Sequence, residues 1–493
     1  MDINRTSGLI LHPTALPSKY GIGDFGSSAY EFVDKLSKSK TKIWQVLPLG
    51  ITDEIEYSPY SSKSSILGNP YLISLEKFED KINDKRSLDY LKKLSNDEVE
   101  YKKVYKKKYI IYKELSQNVD INDSKIVKFL NNKLVKQHLV FITLSDVFRK
   151  SWVDWQKDYQ NYNDNLFNHV LENYEKELKF NIFTQYHFNS QWNELKAYAN
   201  SKDVKILGDI PIYVNHNSAD VWLNKNLFEL DKNNKMSYVS GAVPDSFTKE
   251  GQIWGTTLYD WDAHLEEEYK YWINKLNFLL EQYDFLRIDH FVGFFKYWAI
   301  PKDDIALNGH WRKGPWKTFF EIVSKNVDFS RLLAEDLGVE LKETDEVLQK
   351  YNIPGMLLLE QRIPNGDGKK ETHPKNWSEN VAAYTGTHDS PTIKQWFDYA
   401  NKTQLDSFES YLKEYIQKSS NNIWNFITLI WSTPCLIAVT NIQDVLELGK
   451  KARFNIPGTT KNNWKWRLNS LSLIEEPLSK IKKLNENYKR TNT

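Results

Sequence analysis

Short apolar runs that each end in polar residues recur along this 493-residue chain. Eight such runs occupy residues 7–13, 42–49, 204–212, 285–291, 331–338, 355–362, 381–389 and 436–444. Continuous apolar runs of this length are typical of strands buried on both faces of a parallel sheet. Helical patterns lie between several of them, for example at 262–282 and 340–351. Eight such units predict an α/β fold, a (β/α)₈ barrel.

The stretch between Leu49 and Val204 is far too long for an ordinary barrel connection. Residues 77–200 within it are rich in Lys, Glu, Asn and Tyr and have a helical pattern. In 101–115 one helical face carries Tyr101, Val104, Tyr105, Tyr112 and Leu115. The lysines there suit either a solvated helix face or an anionic partner, and we prefer the solvated face. We therefore predict a single barrel over 1–493, with a helical subdomain, 77–200, inserted between barrel strands 2 and 3.

Charge and cysteine content narrow the possible partners. The net charge of +1 argues against a nucleic-acid or membrane-surface partner. The most apolar window, "FITLIWSTPCLIAV", is interrupted at residues 432–434 and is too short to span a bilayer. A single cysteine, Cys435, excludes an intrachain disulfide and suits a reducing compartment. No signal peptide is visible, so we expect a cytoplasmic protein.

Aromatic residues make up 14% of the chain, with 17 Trp and 28 Tyr. Tyr and Trp combine a flat apolar face with a polar group, which suits the stacking and hydrogen bonding of sugar rings. A general bias that supplies aromatic residues to the core explains the same number equally well. We find no metal-ligand spacing and no Gly-rich phosphate loop, so we expect no metal, no cofactor and no nucleotide-sugar donor.

Acidic residues follow five of the predicted strands. They are Asp209, Asp289, Glu335 with Asp336, Glu360, and Asp389 after His388. Taken singly, each acid has a structural explanation, such as an ion pair with arginine or a helix cap. Together they would share the carboxyl end of the barrel, where catalytic groups of this fold cluster, and like charges on one rim destabilise it unless they act on a ligand.

Two carboxylates of different pKa are the machinery of glycosidic bond cleavage. Arg287 lies two residues before Asp289 on the same strand face and would keep Asp289 ionised, as a nucleophile requires. The apolar approach to Glu335 and the adjacent Asp336 would raise its pKa, as a proton donor requires. Asp389 beside His388 would bind sugar hydroxyls.

Several blocks of the sequence resemble one enzyme family. "LRIDHF", "LLAEDLG" and "YTGTHDSPT", in that order, are similar to the three active-site strands of the α-amylase clan. "SGLILHPTALPSKYGIGDFG", "SPYSSKSSILGNPYLI", "GAVPDSFTKEGQIWGTTLYDW" and "QDVLELGKKARFNIPGTTKNNWKWR" resemble the 4-α-glucanotransferases of the amylomaltase, or disproportionating-enzyme, family, glycoside hydrolase family 77. The resemblance extends from about residue 7 to residue 467.

This resemblance implies a retaining transfer of α-1,4-glucan segments, with malto-oligosaccharides as donors and acceptors. It implies that Asp289 is the nucleophile, Glu335 the acid/base and Asp389 the third carboxylate. It further implies that substrate is bound by Ser58, Tyr60, Asp209, Trp254, Arg287, His388 and Asn463. It also implies a barrel without the C-terminal β-sandwich found in many amylases.

The chain departs from the family pattern at Val243, Ser246, Thr256, Thr257, Phe454 and Asn462. None is a catalytic position, and we expect all of them in loops that border the glucan groove. Two alternatives remain open: a retaining α-1,4-glucan hydrolase, which would carry the same three acids, and a glucan-binding protein without catalysis. Only the resemblance separates transferase from hydrolase, and the sequence leaves the oligomeric state undetermined.

Overall fold

The computed structural model describes residues 1, 3–244, 250–364, 373–415 and 418–491. The strands in these ranges are β1 (Thr6–Ile10), β2 (Ile43–Gln45), β3 (Lys205–Pro211), β4 (Tyr238–Ala242), β5 (Gln252–Ile253), β6 (Phe285–Asp289), β7 (Lys296–Pro301), β8 (His310–Lys313), β9 (Leu332–Ala334), β10 (Gly355–Leu358), β11 (Val381–Tyr384) and β12 (Ile437–Asn441).

Eight of these strands form one parallel sheet in the order β10-β11-β12-β1-β2-β3-β6-β9. The sheet closes on itself, because Ala334 at the end of β9 donates its N–H to the carbonyl of Pro354, just before β10, at 2.9 Å. Each of the eight strands coincides with one of the eight apolar runs in the sequence. The (β/α)₈ barrel is therefore confirmed.

An apolar cluster fills the barrel interior and takes one or two residues from each barrel strand. Its buried members include Ile10, Ile43, Leu207, Phe285, Leu333, Met356, Tyr384 and Val439. Because side chains alternate along a strand, every second residue of each strand points into this interior. The same alternation determines which residues at the carboxyl ends of the strands point toward the barrel axis.

The α-helices are α1 (Ser27–Lys38), α2 (Lys85–Leu91), α3 (Tyr101–Leu115), α4 (Ser124–Leu130), α5 (Lys133–Phe148), α6 (Leu166–Asn173), α7 (Glu175–Ser201), α8 (Ala219–Leu223), α9 (Trp261–Glu266), α10 (Lys270–Gln282), α11 (Trp316–Val323), α12 (Lys342–Lys350), α13 (Leu359–Arg362), α14 (Ile393–Tyr399), α15 (Lys402–Tyr415), α16 (Asn422–Ser432), α17 (Ile442–Val445) and α18 (Glu475–Asn487). The helical pattern at 262–282 is divided into α9 and α10, because Glu268 and Tyr269 adopt left-handed φ angles of 57° and 56°. None of the helices in the described ranges is long and apolar enough to cross a lipid bilayer.

The long stretch between β2 and β3 contains α2 to α7. In α3 the five residues expected on one face are all buried. The solvated-face interpretation is wrong for Lys108, which is fully buried and donates to the carbonyls of Tyr71 at 2.7 Å and Ile73 at 2.9 Å. The assignment of 77–200 as a separate subdomain stays a prediction.

A four-stranded antiparallel sheet, in the order β5-β4-β7-β8, lies outside the barrel sheet. We expected insertions that are mainly helical, and this sheet was not predicted. β5 has only two residues, Gln252 and Ile253, too few to show alternation, and β4 pairs with β7, which lies far along the chain. Beyond β12 the described residues form α17, α18, short 3₁₀ turns and loops, with no further sheet.

The C-terminal segment is fixed to the barrel by a buried guanidinium. Arg490 is fully buried and donates to four main-chain carbonyls at 2.8–3.0 Å, those of Thr6, Trp431, Thr433 and Cys435. Thr6 begins β1, and the other three precede β12. One side chain thus joins the chain end to two adjacent barrel strands.

We expect Arg490→Met to lower the free energy of unfolding by roughly 2–4 kcal/mol, because it removes four hydrogen bonds to buried carbonyls, of which only those of Trp431 and Thr433 also accept from Arg5. Urea denaturation followed by tryptophan fluorescence measures the change. The neighbouring Lys489 is exposed, and Lys489→Met is the matched control with an unchanged midpoint. Equal midpoints for the two variants would show that the Arg490 contacts contribute nothing to stability.

Candidate active site

The inward-pointing positions of the barrel strands change from apolar to charged at the carboxyl end. The inward series are Leu207 then Asp209, Phe285 then Arg287 and Asp289, Leu333 then Glu335, and Leu358 then Glu360. The alternation that fills the barrel with apolar side chains therefore places these charged groups directly above that filling. Asp389 joins them from the loop after β11.

Glu335 is held against the segment that follows Asp289. The N–H of His290 donates to the Glu335 carboxylate at 2.6 Å, and the N–H of Phe291 donates to the Glu335 carbonyl at 2.9 Å. His290 has a left-handed φ of 52°. This backbone turn therefore links the end of β6, which carries Asp289, to the end of β9, which carries Glu335.

Arg287 connects two of the acids. Its guanidinium forms an ion pair with Asp289 at 2.9 Å and contacts both carboxylate oxygens of Asp209 at 2.7 and 2.8 Å. The register of β3 against β6 places Asp209 directly opposite Arg287. Tyr60 donates its hydroxyl to Asp209 at 2.7 Å. Asp209 is 1% exposed, so it lies behind Arg287 and Tyr60 rather than on the cleft surface.

The protonation of the two central acids is governed by burial. Burial raises the pKa of Asp289 well above its usual range, and the Arg287 guanidinium opposes that rise. Burial also raises the pKa of Glu335. The charge of Arg287 and the hydrogen bonds from the N–H groups of His290 and Leu337 lower that pKa and offset part of the rise. The expectation that Arg287 by itself keeps Asp289 ionised is therefore incomplete, because burial outweighs it. The pair holds a proton at a pH where isolated carboxyls would have lost theirs.

Asp389 is positioned by the loop that follows α17. Asn455 donates its side-chain amide to the Asp389 carboxylate at 2.6 Å, and Arg453 donates to the Asp389 carbonyl at 2.6 Å. His388 lies 3.4 Å from the same carboxylate, and burial lowers the pKa of its imidazole. The ring of Tyr60 stacks on His388 with centroids 5.0 Å apart. Tyr60 and His388 thereby link the Asp209 side of the cleft to the Asp389 side.

The remaining predicted binding residues lie at different depths. Trp254 packs edge-to-face against His290 at 4.7 Å, next to Asp289. The hydroxyl of Ser58 accepts the N–H of Tyr60 at 3.3 Å, within one turn. The side chain of Asn463 is engaged by its own loop, since it accepts from Ile456 at 3.1 Å and donates to Thr459 at 2.8 Å. Substrate contact by all seven predicted binding residues stays a prediction.

The departures from the family pattern also differ in exposure. Thr257 is fully buried and Phe454 is 6% exposed, so these two fill space beneath the loops rather than line a groove. Asn462 takes a left-handed φ of 65°. Ser246 lies outside the described residues.

Arg453 and Asn455 were not predicted as residues that position Asp389. Both occur in the block "KKARFNIPG", which the resemblance marked without assigning roles. Asp336, one of the acids predicted at a strand end, has a structural role instead. Its carboxylate accepts the N–H of Met356 at 2.7 Å. Among the described residues, no group of three or more His, Cys, Asp or Glu side chains is arranged to hold a metal ion.

Glu360 supports the turn that carries His388 and Asp389. Burial raises its pKa to about 8, although a hydrogen bond with Ser390 and the charge of Arg453 both lower it. Ser390 in turn accepts the N–H of Thr387 at 2.9 Å. Around neutral pH Glu360 is therefore largely protonated and braces this turn without adding a negative charge.

The raised pKa of Glu360 predicts a pH-dependent stability. The folded state binds this proton more tightly than the unfolded state, so the contribution is present below pH 4.5 and is lost as the pH rises to about 8. Because Glu360 is partly exposed, we expect at least about 1 kcal/mol between pH 5 and pH 8.5, rather than the full effect of the shift. Urea midpoints of Glu360→Gln should lack this component, and Glu343→Gln, at an exposed position of α12, is the control. Parallel pH profiles for wild type and Glu360→Gln would contradict the assignment.

The chain matches one family of known proteins over most of its length. The profile of a family described as 4-alpha-glucanotransferase matches residues 11–473. The chain is similar to the 4-alpha-glucanotransferase of Clostridium butyricum, with 37% identity over 97% of this chain and 100% of that protein. It is also similar to that of Aquifex aeolicus, with 36% identity over 94% of this chain and 95% of that protein.

Among solved structures, the chain resembles the amylomaltase from Streptococcus agalactiae in complex with acarbose. The TM-score is 0.91 at 31% identity, and the match covers 99% of this chain and 100% of that chain.

Proposed function

This chain belongs to the 4-alpha-glucanotransferase family, and we propose that Asp289, Glu335 and Asp389 carry out the reaction of that family in its barrel cleft. The enzyme transfers a segment of a 1,4-α-D-glucan to the 4-hydroxyl of an acceptor glucan or of glucose. The family assignment does not favour the retaining hydrolase, which would need only the same three acids.

The proposed reaction has two displacements at one carbon. The Asp289 carboxylate attacks the anomeric carbon while Glu335 gives its proton to the departing glycosidic oxygen, which leaves as the 4-hydroxyl of the released sugar. The donor segment is then an ester of Asp289. In the second step the 4-hydroxyl of the acceptor attacks that carbon, Glu335 takes the hydroxyl proton, and Asp289 leaves. Two inversions give net retention.

The hydrogen bond from His290 to Glu335 carries this assignment, because it couples the acid after β9 to the residue that follows Asp289. The coupled pair shares one proton, and the reaction requires the ionised form at Asp289. The ion pair with Arg287, which Glu335 lacks, favours that form there and leaves the shared proton to Glu335. Each form is the one that the first displacement requires.

The cleft walls suit a sugar ring held between these acids. We propose that Asp389 and neutral His388 bind hydroxyls of the reacting sugar, with Asn455 and Arg453 fixing Asp389. Trp254 would contact a neighbouring sugar through its apolar ring. Asp209 would act through Arg287 and Tyr60, since it is buried behind them.

We propose malto-oligosaccharides as donors and acceptors, with no nucleic acid or membrane among the partners. The net charge of +1 supports that choice of partners, because it offers no general attraction to phosphates. A cytoplasmic location is proposed on the single cysteine, Cys435, which is free and buried. For transfer to exceed hydrolysis, the acceptor must be held in place while water is excluded.

Incubation with maltotriose alone tests the function. Products longer than three glucose units, together with glucose, are expected from transfer. Glucose and maltose without any longer product would assign hydrolysis instead. Binding of maltoheptaose without any turnover of maltotriose or maltoheptaose would assign a glucan-binding protein.

A further inference from the structure

The outer face of the small antiparallel sheet carries an apolar row. Ile253, Gly241, Trp298 and Trp311 lie directly opposite one another on β5, β4, β7 and β8. Directly opposed residues of antiparallel strands point to the same face. We call these four residues the outer row.

The outer row is exposed at both ends, whereas Gly241 within it is buried beneath the side chain of Ile300. Ile253 is 53% exposed and Trp311 is 39% exposed. Two further apolar side chains beside the same sheet, Ile305 and Leu307, are each 56% exposed. Trp311, Ile305 and Leu307 are thus three exposed apolar side chains on β8 and the loop before it, a density above that of singly scattered surface residues. In the described part of the chain, Trp311 is the only tryptophan with this degree of exposure.

The middle of the row is rigid. The indole N–H of Trp298 donates to the carbonyl of Ala306 at 2.7 Å. Gly309 packs directly on that indole, since a Cβ at this position would lie 2.3 Å from the indole nitrogen. Trp311 then packs against Trp298 with centroids 5.2 Å apart and planes at 70°. The two rings are therefore ordered without a ligand, which lowers the entropic cost of binding.

The outer row begins at the rim of the proposed cleft. Ile253 is followed by Trp254, whose side chain lies on the opposite face and contacts His290. On the other side of β4, β7 begins two residues after Phe294, in the segment that continues from Asp289. A chain that leaves the cleft past Trp254 reaches Ile253 by crossing the edge of strand β5.

We propose that the outer row binds a stretch of an α-1,4-glucan that extends beyond the cleft, as a second carbohydrate site. This rests on the proposed function. The open part of the row is formed by Trp298 and Trp311 on neighbouring strands about 4.8 Å apart, which suits one or two sugar rings.

The chemistry of the row suits a neutral polyhydroxyl chain. The indole faces are apolar surfaces for the C–H faces of sugar rings. On the same face, Lys296 and Lys313 occupy the next opposed pair, and the Lys296 ammonium lies 4.5 Å from the Trp311 ring centroid. The row thus offers a stacking surface with hydrogen-bond donors along one side.

The test compares a polymer with a short substrate. Wild type, Trp311→Ala, Trp311→Phe and the control Leu473→Ala, at another exposed apolar residue, are run in native gels containing increasing glycogen. We expect Trp311→Ala to weaken the apparent affinity for glycogen by roughly two- to tenfold, with Trp311→Phe between it and wild type. Turnover of maltotriose, which is too short to reach the row, should stay within about twofold for all four proteins.

Equal retardation of Trp311→Ala and wild type would overturn the proposal. A parallel loss of maltotriose turnover in Trp311→Ala would also overturn it, because it would place Trp311 in the reacting cleft. Concentration-dependent dimerisation of wild type that Trp311→Ala abolishes would assign the face to a second copy of the chain. Failure of the proposed function is distinguishable, since wild type would then leave maltotriose unchanged whatever its mobility in glycogen.

Discussion

Asp289→Asn is expected to lower kcat/KM for maltotriose disproportionation by roughly 10⁴-fold or more, because it removes the nucleophile and with it the covalent intermediate. The substitution keeps the size of the side chain, although the ion pair with Arg287 is lost. Product formation resolved by chain length measures the effect. A buried charge at Arg287 remains paired with Asp209, so the barrel should stay folded.

Asp336→Asn is the matched control for Asp289→Asn. Asp336 also lies at the carboxyl end of a strand, and its contact with the Met356 N–H can be kept by an amide oxygen. We expect its activity to remain within about tenfold of wild type. If Asp289→Asn retained activity comparable to Asp336→Asn, the nucleophile would have to be another group.

Glu335→Gln is expected to lower maltotriose transfer by about 10²–10⁴-fold, the usual contribution of general acid/base catalysis. The first displacement should survive with an α-maltosyl fluoride donor, because fluoride leaves without being protonated. The second displacement should then be slow, since nothing removes the proton of the acceptor hydroxyl. A glycosyl ester should therefore accumulate on the enzyme.

Mass spectrometry of a peptic digest locates that ester. The expected adduct lies on the peptide that contains Asp289. An adduct on Asp389 or Asp209 would reassign the nucleophile. Unchanged transfer from maltotriose by Glu335→Gln would remove Glu335 from the acid/base role, and binding of maltoheptaose by the variant would show that its cleft is intact.

The sequence by itself determined the barrel. Each of the eight apolar runs is long enough for one strand, and burial of both faces of such a strand requires the parallel, helix-covered arrangement. The same local information placed acids at strand ends and identified the buried face of α3, because periodicity depends only on neighbouring positions. The roles of Asp289, Glu335 and Asp389 were suggested in the same way and stay predictions for the measurements above.

Other features were decided by the tertiary structure, because they depend on contacts between distant segments. The Arg287–Asp209 ion pair joins residues 78 positions apart, and Tyr60 reaches Asp209 across 149 positions. The burial that raises the pKa of Glu360 comes from packing and has no local signature. The small sheet pairs β4 with β7, which lies far along the chain, so the face that carries Trp298 is defined only once the chain has folded.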